Sequence, residues 1–264
     1  MKSKILQANK ELSQHEARYY DMIHSEIFNK KEQARIDKFL KVAVSKIKSR
    51  RIGPGKKQAL DVGCGTGNLT LRLLKMGFYV TAVDLGQEYL DILKKKYKGK
   101  HLKIICKNID DVEFNQKFDF ICTYSTLHHL PDYLKTIEKL CNLLRKGGIL
   151  YMDHETADHW WWNRNWITKF YDFSCGALNV FYLRFKGIKR KDLLKFKHCY
   201  AMADYHTRQE DHIDHQKILA LLKKHMSIIS MKSYLLHKTH LWNPFKLIYK
   251  WWMETDIILW IARK

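Results

Sequence analysis

The chain has few of the residues that interrupt or cross-link a fold. It contains only three prolines, and no stretch rich in serine or glycine separates its two halves. Its six cysteines include no Cys-x-x-Cys pair, which excludes the metal and redox motifs built on that spacing. We therefore expect free thiols in a reducing compartment and a single domain over 1–264.

Long apolar segments are also missing. No run reaches the roughly 18 uninterrupted apolar residues of a membrane-spanning helix, and residues 1–20 have no apolar core of signal-peptide length. These absences exclude a spanning helix and a secretion signal from the interpretation. They predict a cytoplasmic protein, and a peripheral position on a membrane stays open.

Acidic residues are scarce relative to basic ones. Lysine and arginine total 48 against 27 aspartates and glutamates, a formal net charge of +21. This excess favours an anionic partner such as nucleic acid, a lipid headgroup surface or an acidic small molecule, unless the lysines only solvate the surface.

Strand-like and helix-like patterns alternate between residues 58 and 153. Helical periodicity follows the first, second and fourth of five strand-like runs, which lie at 58–63, 78–84, 102–108, 118–124 and 148–153. This alternation predicts an α/β fold with a doubly wound, mostly parallel sheet and helices on both faces. Ligands bind such sheets outside the carboxyl ends of the strands, so the residues that end each strand carry the functional information.

The stretch ALDVGCGTGNLT, residues 59–70, joins the first strand to a helix through three alternating glycines. Glycines leave main-chain N–H groups uncovered, so a flat or charged ligand can approach the helix N-terminus. Their G-x-G-x-G spacing differs from the G-x-G-x-x-G of dinucleotide-binding folds, which favours a ligand without a pyrophosphate. Asp84 ends the second strand, where a carboxylate can accept hydrogen bonds from both hydroxyls of a ribose. A nucleoside ligand is predicted.

These features resemble the class I S-adenosylmethionine-dependent methyltransferases. The resemblance lies in LDVGCGTGNLT, VDLGQEYL, LKIICKNIDDVEF and FDFICTYSTLHHLPDYLKTIEKLCNLLRKGGILYMDHE. It implies a seven-stranded sheet whose last strand is antiparallel, matched by SIISMKSYLL and TDIILWIARK. It also implies S-adenosylmethionine as cofactor and methyl transfer as activity.

The expected organisation follows from this resemblance. The cofactor-binding core covers 58–153, after an N-terminal helical segment at 1–50. A helical cap, acting as a lid or substrate insertion, covers 154–208, and a C-terminal helix with the last two strands covers 209–264.

The resemblance also implies the cofactor contacts, position by position. Asp61 is expected near the ammonium of the methionine portion, Asp84 at the ribose and Leu85 on the adenine face. Asn108 stands where the family usually has an aspartate, and its amide oxygen can still accept from the adenine amino group. The whole expected set is Asp61, Gly63, Cys64, Gly65, Gly67, Asp84, Leu85, Asn108, Ile109, Tyr124, Ser125 and the lid residue Tyr20, for which packing against the sheet is the alternative.

Methyl transfer requires an acceptor lone pair in line with the S–C bond, and a base only where the acceptor loses a proton. The candidate bases are His154, His128 and His206, each with a structural role as the alternative. No metal is expected, because the histidines and acids of 206–215 are interpreted as the start of a helix with surface histidines.

Specificity should come from the insertion. It carries tryptophans at 160, 161, 162 and 166 and a basic cluster over 186–197, and a second aromatic-basic segment occupies 240–254. This composition fits a lid over an apolar pocket, an interfacial helix on anionic lipid, base stacking, or a cap that buries its own aromatics.

We predict a methyltransferase for a small-molecule or lipid-like acceptor, with peripheral membrane contact through the insertion as an open option. An RNA methyltransferase and a non-catalytic scaffold of the same fold are the alternatives. Nucleic acid is the less favoured partner, because the chain has no Asn-Pro-Pro-Tyr motif for base amines.

Overall fold

A computed structural model describes residues 2–48, 57–156, 180–189, 212–234 and 257–264, with 192, 194, 199, 202–204 and 206. The elements before the sheet are helices α1 (Lys2–Glu16), α2 (Tyr20–Ile23) and α3 (Lys30–Ser45). Asn29 caps α3, because its side chain accepts from the backbone N–H groups of Lys31 and Glu32. These helices lie within residues 1–50, where a helical segment is expected from the sequence.

The later elements alternate as the sequence pattern predicts. They are β1 (Gln58–Val62), α4 (Asn68–Lys75), β2 (Tyr79–Asp84), α5 (Gln87–Lys96), β3 (Leu102–Cys106), β4 (Phe118–Tyr124), α6 (Tyr133–Leu143), β5 (Leu144–Thr156), α7 (His215–His225), β6 (Ser227–Tyr234) and β7 (Ile257–Arg263). As expected, the described residues between β3 and β4 form no regular helix, and a 3-10 turn covers Ile109–Asp111.

The strands form one seven-stranded sheet in the order β3-β2-β1-β4-β5-β7-β6. The pairs from β3 to β5 are parallel, whereas β7 is antiparallel to both of its neighbours. The predicted fold class, with an antiparallel last strand, is confirmed. Strand order reverses between β1 and β4, and the crevice at their carboxyl ends is where such sheets bind ligands.

Alternate residues of the central strands feed two apolar layers. Leu60, Ile121 and Trp260 pack in one layer with residues of α6 and α7. Phe120 and Tyr151 point to the opposite layer, which contains residues of α3 and α4. Helices therefore cover both faces of the sheet and leave its strand ends to form a site.

Two predicted boundaries differ from the structure. The fifth strand, expected from residue 148, begins at Leu144 directly after α6, because Leu144 already pairs with Phe118 of β4. β5 continues to Thr156, which pairs with Ile257 of β7, so the insertion begins after 156 and not at 154.

Most of the predicted cap cannot be compared with the structure. The tryptophan-rich stretch at 160–166 and the aromatic-basic segment at 240–254 lie outside the described residues. Among the residues that are described, no helix combines the length and the apolar character needed to cross a membrane.

Candidate active site

The carboxyl ends of β1, β2, β4 and β5 border a cavity of about 390 Å³. Helices α1 and α2 also line the cavity, through Asn9 and Glu16 of α1 and Tyr20 of α2. The predicted cofactor residues that line the cavity are Gly63, Gly65, Asp84, Leu85, Asn108, Ile109, Tyr124, Ser125 and Tyr20. The structure thus brings most of the predicted set to one place.

Asp84 ties the glycine loop to the start of α5. One carboxylate oxygen accepts the N–H of Gly65 at 2.8 Å, and the other accepts the N–H of Gly86 at 2.8 Å. Burial raises the pKa of Asp84, although these backbone hydrogen bonds oppose the rise. Each carboxylate oxygen keeps a lone pair that can accept from a ribose hydroxyl.

Tyr20 lies directly over the glycine loop. A Cβ placed on Gly65 would come 3.6 Å from the Tyr20 hydroxyl oxygen, which is ordinary van der Waals contact. The Tyr20 ring packs against His24 and Tyr89 at centroid distances of 4.4 and 5.0 Å. Burial, reinforced by the charge of Glu16, holds the pKa of Tyr20 well above its ordinary value, so the phenol stays protonated.

Asp61, Cys64 and Gly67 do not line this cavity. Asp61 accepts the hydroxyl of Thr70 at 2.6 Å, and burial raises the pKa of its carboxyl to about 6. Cys64 is 5% exposed within a small apolar cluster. A Cβ on Gly67 would lie 2.4 Å from Leu93 of α5, so this glycine allows two helices to approach. Asp61 is thus engaged by a hydrogen bond and Cys64 and Gly67 by packing, and the cofactor contacts expected of them stay a prediction.

His154 lies in an irregularity of β5. The register with β7 shifts between Met152 and Glu155, so two residues of β5, one of them His154, lie opposite a single residue of β7. The φ angle of His154 is +66°, in the left-handed region that a histidine seldom adopts. Bulges of this kind redirect a side chain and recur beside active sites. Here the bulge turns the His154 ring into the cavity.

The His154 ring is buried without a hydrogen-bond partner. Its residue is 8% exposed, and neither ring nitrogen meets a donor or acceptor among the described residues. The ring stacks on Tyr124 with centroids 4.8 Å apart. Burial lowers the pKa of His154, and the nearby carboxylates of Glu32 and Asp153 do not reverse this. The imidazole is therefore neutral at neutral pH and has a lone pair to offer.

A buried network of charges holds the ring on which His154 stacks. The Tyr124 hydroxyl donates to Glu32 at 2.8 Å, and Arg35 donates to Glu32 at 2.6 Å and to Asp153 at 2.9 Å. Because every carboxylate in this network is paired, burial of the charges is compensated. The network fixes Tyr124 below His154.

His128 also lines the cavity, but it is engaged. Its Nδ1 lies 2.8 Å from Glu155, which also accepts the backbone N–H groups of Thr126 and Leu127. Burial alone would lower the pKa of His128, but the Glu155 charge outweighs it and the pKa is raised. The arrangement suits a positioning role in the loop after β4 better than that of a base.

His206, the third candidate base, lies outside the cavity lining. It is 3% exposed, its Nε2–H donates to the Leu130 carbonyl at 2.9 Å, and its ring meets the edge of Tyr133. It does not line the cavity, because this part of the insertion packs beneath the loop after β4. His206 makes structural contacts here, and its role as a base stays a prediction.

A group of charged residues on the N-terminal segment was not predicted. His24 lies 3.2 Å from Glu26 and 3.5 Å from Glu16. Burial would lower its pKa, but hydrogen bonds to Glu16 and Glu26 raise it to about 10. Glu16 and His24 lie four positions before and after Tyr20. This helical spacing is the signal that would have placed both of them beside Tyr20.

His128, His129 and Asp204 bring candidate metal-ligand atoms within 4.8 Å of one another. Imidazole and carboxylate are suitable ligands for a divalent transition metal. The His129 Nδ1–H donates to the Ala203 carbonyl at 3.0 Å, and His128 pairs with Glu155. Hydrogen bonds within the protein thus already account for the orientation of both histidines.

Comparisons with known proteins agree with this architecture. Residues 60–152 match the family described as methyltransferase domain. A ubiquinone biosynthesis O-methyltransferase of Coxiella burnetii (strain Dugway 5J108-111) is 34% identical over 134 residues, covering 50% of this chain and 54% of the relative. A malonyl-[acyl-carrier protein] O-methyltransferase of Acetivibrio thermocellus is 32% identical over 93 residues, covering 34% of this chain and 33% of the relative.

The chain therefore spans about half the length, or less, of these curated relatives. Among solved structures, an S-adenosylmethionine-dependent methyltransferase from Clostridium acetobutylicum ATCC 824 aligns with a TM-score of 0.51 at 15% identity, covering 88% of this chain and 91% of that chain. At this identity the likeness concerns the fold.

The family match, the strand order with an antiparallel β7, and the glycine loop facing a strand-end carboxylate agree with one another. Residues 60–152 are similar to a methyltransferase domain, and the sheet around them has the fold of the class I S-adenosylmethionine-dependent methyltransferases. S-adenosylmethionine is the cofactor of that class.

Proposed function

We propose that the protein transfers a methyl group from S-adenosylmethionine to a hydroxyl group of a small-molecule acceptor, with His154 as general base. The observation that chiefly supports this is the His154 ring, which is buried in the cavity without a partner among the described residues. Its lowered pKa leaves it neutral and able to take a proton. A buried polar group without a partner is costly, which favours a role with a bound ligand.

The residues of the cavity fit the cofactor. S-adenosylmethionine carries a positive sulfur and an ammonium group, and the cavity is lined by the carboxylates Glu16, Glu26, Asp84 and Asp204. We assign the ribose to Asp84 and the adenine to Leu85, Asn108 and Ile109, as the resemblance implies. Gly63, Gly65 and Ser125 would then hold the methionine end.

When bound, the cofactor supplies a methyl group activated by its positive sulfur. The chain's own contribution is to hold the acceptor oxygen in line with that group and to accept its proton at an imidazole nitrogen of His154. Tyr124 keeps the imidazole in place through their stacked rings.

Oxygen is favoured as the acceptor atom for two reasons. Both curated relatives compared above are named O-methyltransferases. A hydroxyl acceptor also needs a base, whereas a carboxylate acceptor does not, and His154 has the properties of such a base.

A small acceptor is favoured over nucleic acid by charge. Carboxylates outnumber cations in the cavity lining, where His24 pairs with Glu16 and Glu26 and Lys107 is a further cation, so a phosphate backbone is disfavoured there although the whole chain carries +21. RNA binding that weakens steeply with salt, together with methyl incorporation into RNA, would show that the acceptor assignment is wrong.

The proposal can be tested with methyl-labelled S-adenosylmethionine and a cell extract separated into lipid, RNA and small-molecule fractions. We expect label in a small-molecule product with the wild-type protein and none with His154→Ala. A non-catalytic scaffold would incorporate no label into any fraction, and S-adenosylmethionine would not raise its Tm.

A further inference from the structure

The helical residues 180–185 present two contrasting faces. Leu183 and the following Ile188 are buried, whereas Phe181 and Phe185 are 71% and 79% exposed. Since these phenylalanines are one helical turn apart, they lie on the same face. They are the two most exposed large apolar side chains among the described residues.

The buried face rests on the N-terminal segment. Leu183 and Ile188 form a cluster into which Tyr19, Met22 and Ile23 pack. The neighbouring residues Tyr20 and His24 line the cavity. The helical residues that carry the exposed phenylalanines therefore pack on the segment that lines the cavity.

Basic residues surround the exposed face. Arg184, Lys186 and Lys189 are exposed, and residues 180–189 contain no acidic residue. Arg18 lies over the ring of Tyr19 on the adjoining segment. Exposed aromatic side chains bordered by cations match a bilayer surface, where rings enter the acyl boundary and cations meet anionic headgroups.

We propose that this face, made of Phe181 and Phe185 with Arg184, Lys186 and Lys189, binds the surface of an anionic lipid bilayer. The positive charge of this face favours an anionic bilayer over a neutral one. The two phenylalanines add exposed apolar area, which the binding of phosphate groups alone does not need. The face lies beside the segment that covers the active-site cavity. Bilayer binding is independent of the proposed methyl transfer and can be measured without cofactor or acceptor.

The test is flotation with vesicles of phosphatidylcholine alone or mixed with phosphatidylglycerol. We expect the wild-type protein to float with the mixed vesicles and not with the neutral ones. The double variant Phe181→Ser/Phe185→Ser should partition about tenfold more weakly. Its matched control, Val42→Ser/Met231→Ser, removes two other exposed apolar side chains and should float as the wild type does.

A second pair separates a local basic face from the overall charge of the chain. Arg184→Glu/Lys186→Glu should reduce flotation about tenfold or more. Lys38→Glu/Lys41→Glu makes the same change in net charge at exposed positions of α3 and should leave flotation nearly unchanged. Circular dichroism and Tm of each variant show that the fold is kept.

Three results would overturn the proposal. The first is equal flotation of the wild-type protein and the phenylalanine variant, and the second is equal loss in both charge variants. The third is a different oligomeric state of the phenylalanine variant and the wild-type protein in solution without vesicles. That result would make the face a contact between two copies of the chain.

Discussion

The two ends of the cavity satisfy their polar groups in different ways. At the glycine-loop end, formed by Gly63–Gly67 and Asp84, backbone N–H groups close in space occupy both carboxylate oxygens. At the β5 end, formed by Tyr124 and His154, the contacts come from distant parts of the chain. Arg35 reaches Asp153 across 118 positions, and Glu32 reaches Tyr124 across 92.

The difference matters for function. The glycine-loop end is a preformed backbone cradle that a shared cofactor can use in many proteins. At the β5 end, a left-handed φ and two ring nitrogens without partners are held in place by a network built elsewhere. Strain and buried polar groups of this kind persist where the surrounding structure overdetermines them, and they collect at sites of chemistry. The comparison predicts that substitutions at the glycine-loop end impair the binding of S-adenosylmethionine. Substitutions at the β5 end should impair the chemical step.

The largest effect is expected at His154. His154→Gln removes the proposed base, so kcat should fall by about 10² to 10⁴-fold while the Kd for S-adenosylmethionine stays within twofold or so. Steady-state kinetics and calorimetric titration measure the two quantities. His128→Gln serves as the control on the same cavity wall, and its larger effect should be on stability.

The same base predicts the direction of the pH dependence. A base works when neutral, so activity should be constant at neutral pH and fall as the pH drops through the lowered pKa of His154, below 6.5. A wild-type kcat that instead falls as the pH rises from 7 to 8 would contradict this role.

Asp84→Ala should weaken S-adenosylmethionine binding by about 100 to 1000-fold, because hydrogen bonds from two ribose hydroxyls to a charged group are lost. The variant also removes the acceptors for the Gly65 and Gly86 N–H groups, so Asp84→Asn, which keeps one amide oxygen, separates loop support from cofactor binding. Asp91→Asn on the exposed face of α5 is the control. Unchanged affinity in Asp84→Ala would place the nucleoside elsewhere.

The sequence was most informative where structure depends on neighbouring residues. The strands, their order of alternation and the glycine loop follow from apolar runs and glycine spacing, and all appear at β1, α4 and β2. Positions of Asp84 and Asn108 at strand ends were likewise predictable, because every parallel strand ends at the same rim.

Features set by distant contacts were not predictable in the same way. The bulge that turns His154 into the cavity depends on pairing with β7, about a hundred residues later. The fixation of His206 under Leu130 depends on how the insertion returns to the sheet. The charged cavity residues of the N-terminal segment had a sequence signal, the four-residue spacing of Glu16, Tyr20 and His24, but no motif identified which face it would meet.

A matched pair of glycine substitutions tests the packing at the glycine-loop end. Gly67→Ala combines a φ of +95° with a Cβ 2.4 Å from Leu93, so it should lower the free energy of unfolding by about 2 to 3 kcal/mol. Gly77→Ala has a similar φ of +87° but nothing within 4 Å, so the loss should be about 1 kcal/mol. Urea unfolding measures both. Equal losses would show that close helix packing at Gly67 is unimportant.

The effect expected at His24 depends on pH. Its folded pKa of about 10 lies above the ordinary 6.5, so the pairing with Glu16 and Glu26 stabilises the fold fully below pH 6.5 and is lost as the pH rises toward 10. Wild type should exceed His24→Gln in unfolding free energy by on the order of 2 kcal/mol at pH 6, and the difference should shrink by pH 10. A pH-independent difference would mean that His24 contributes by packing alone.

The most direct test of the account is a crystal structure of the protein with S-adenosylhomocysteine. The account predicts both ribose hydroxyls within hydrogen-bond distance of the Asp84 carboxylate and the sulfur directed toward His154. A nucleoside bound elsewhere would contradict the proposed cofactor site. So would a crevice that Tyr20 blocks at saturating ligand.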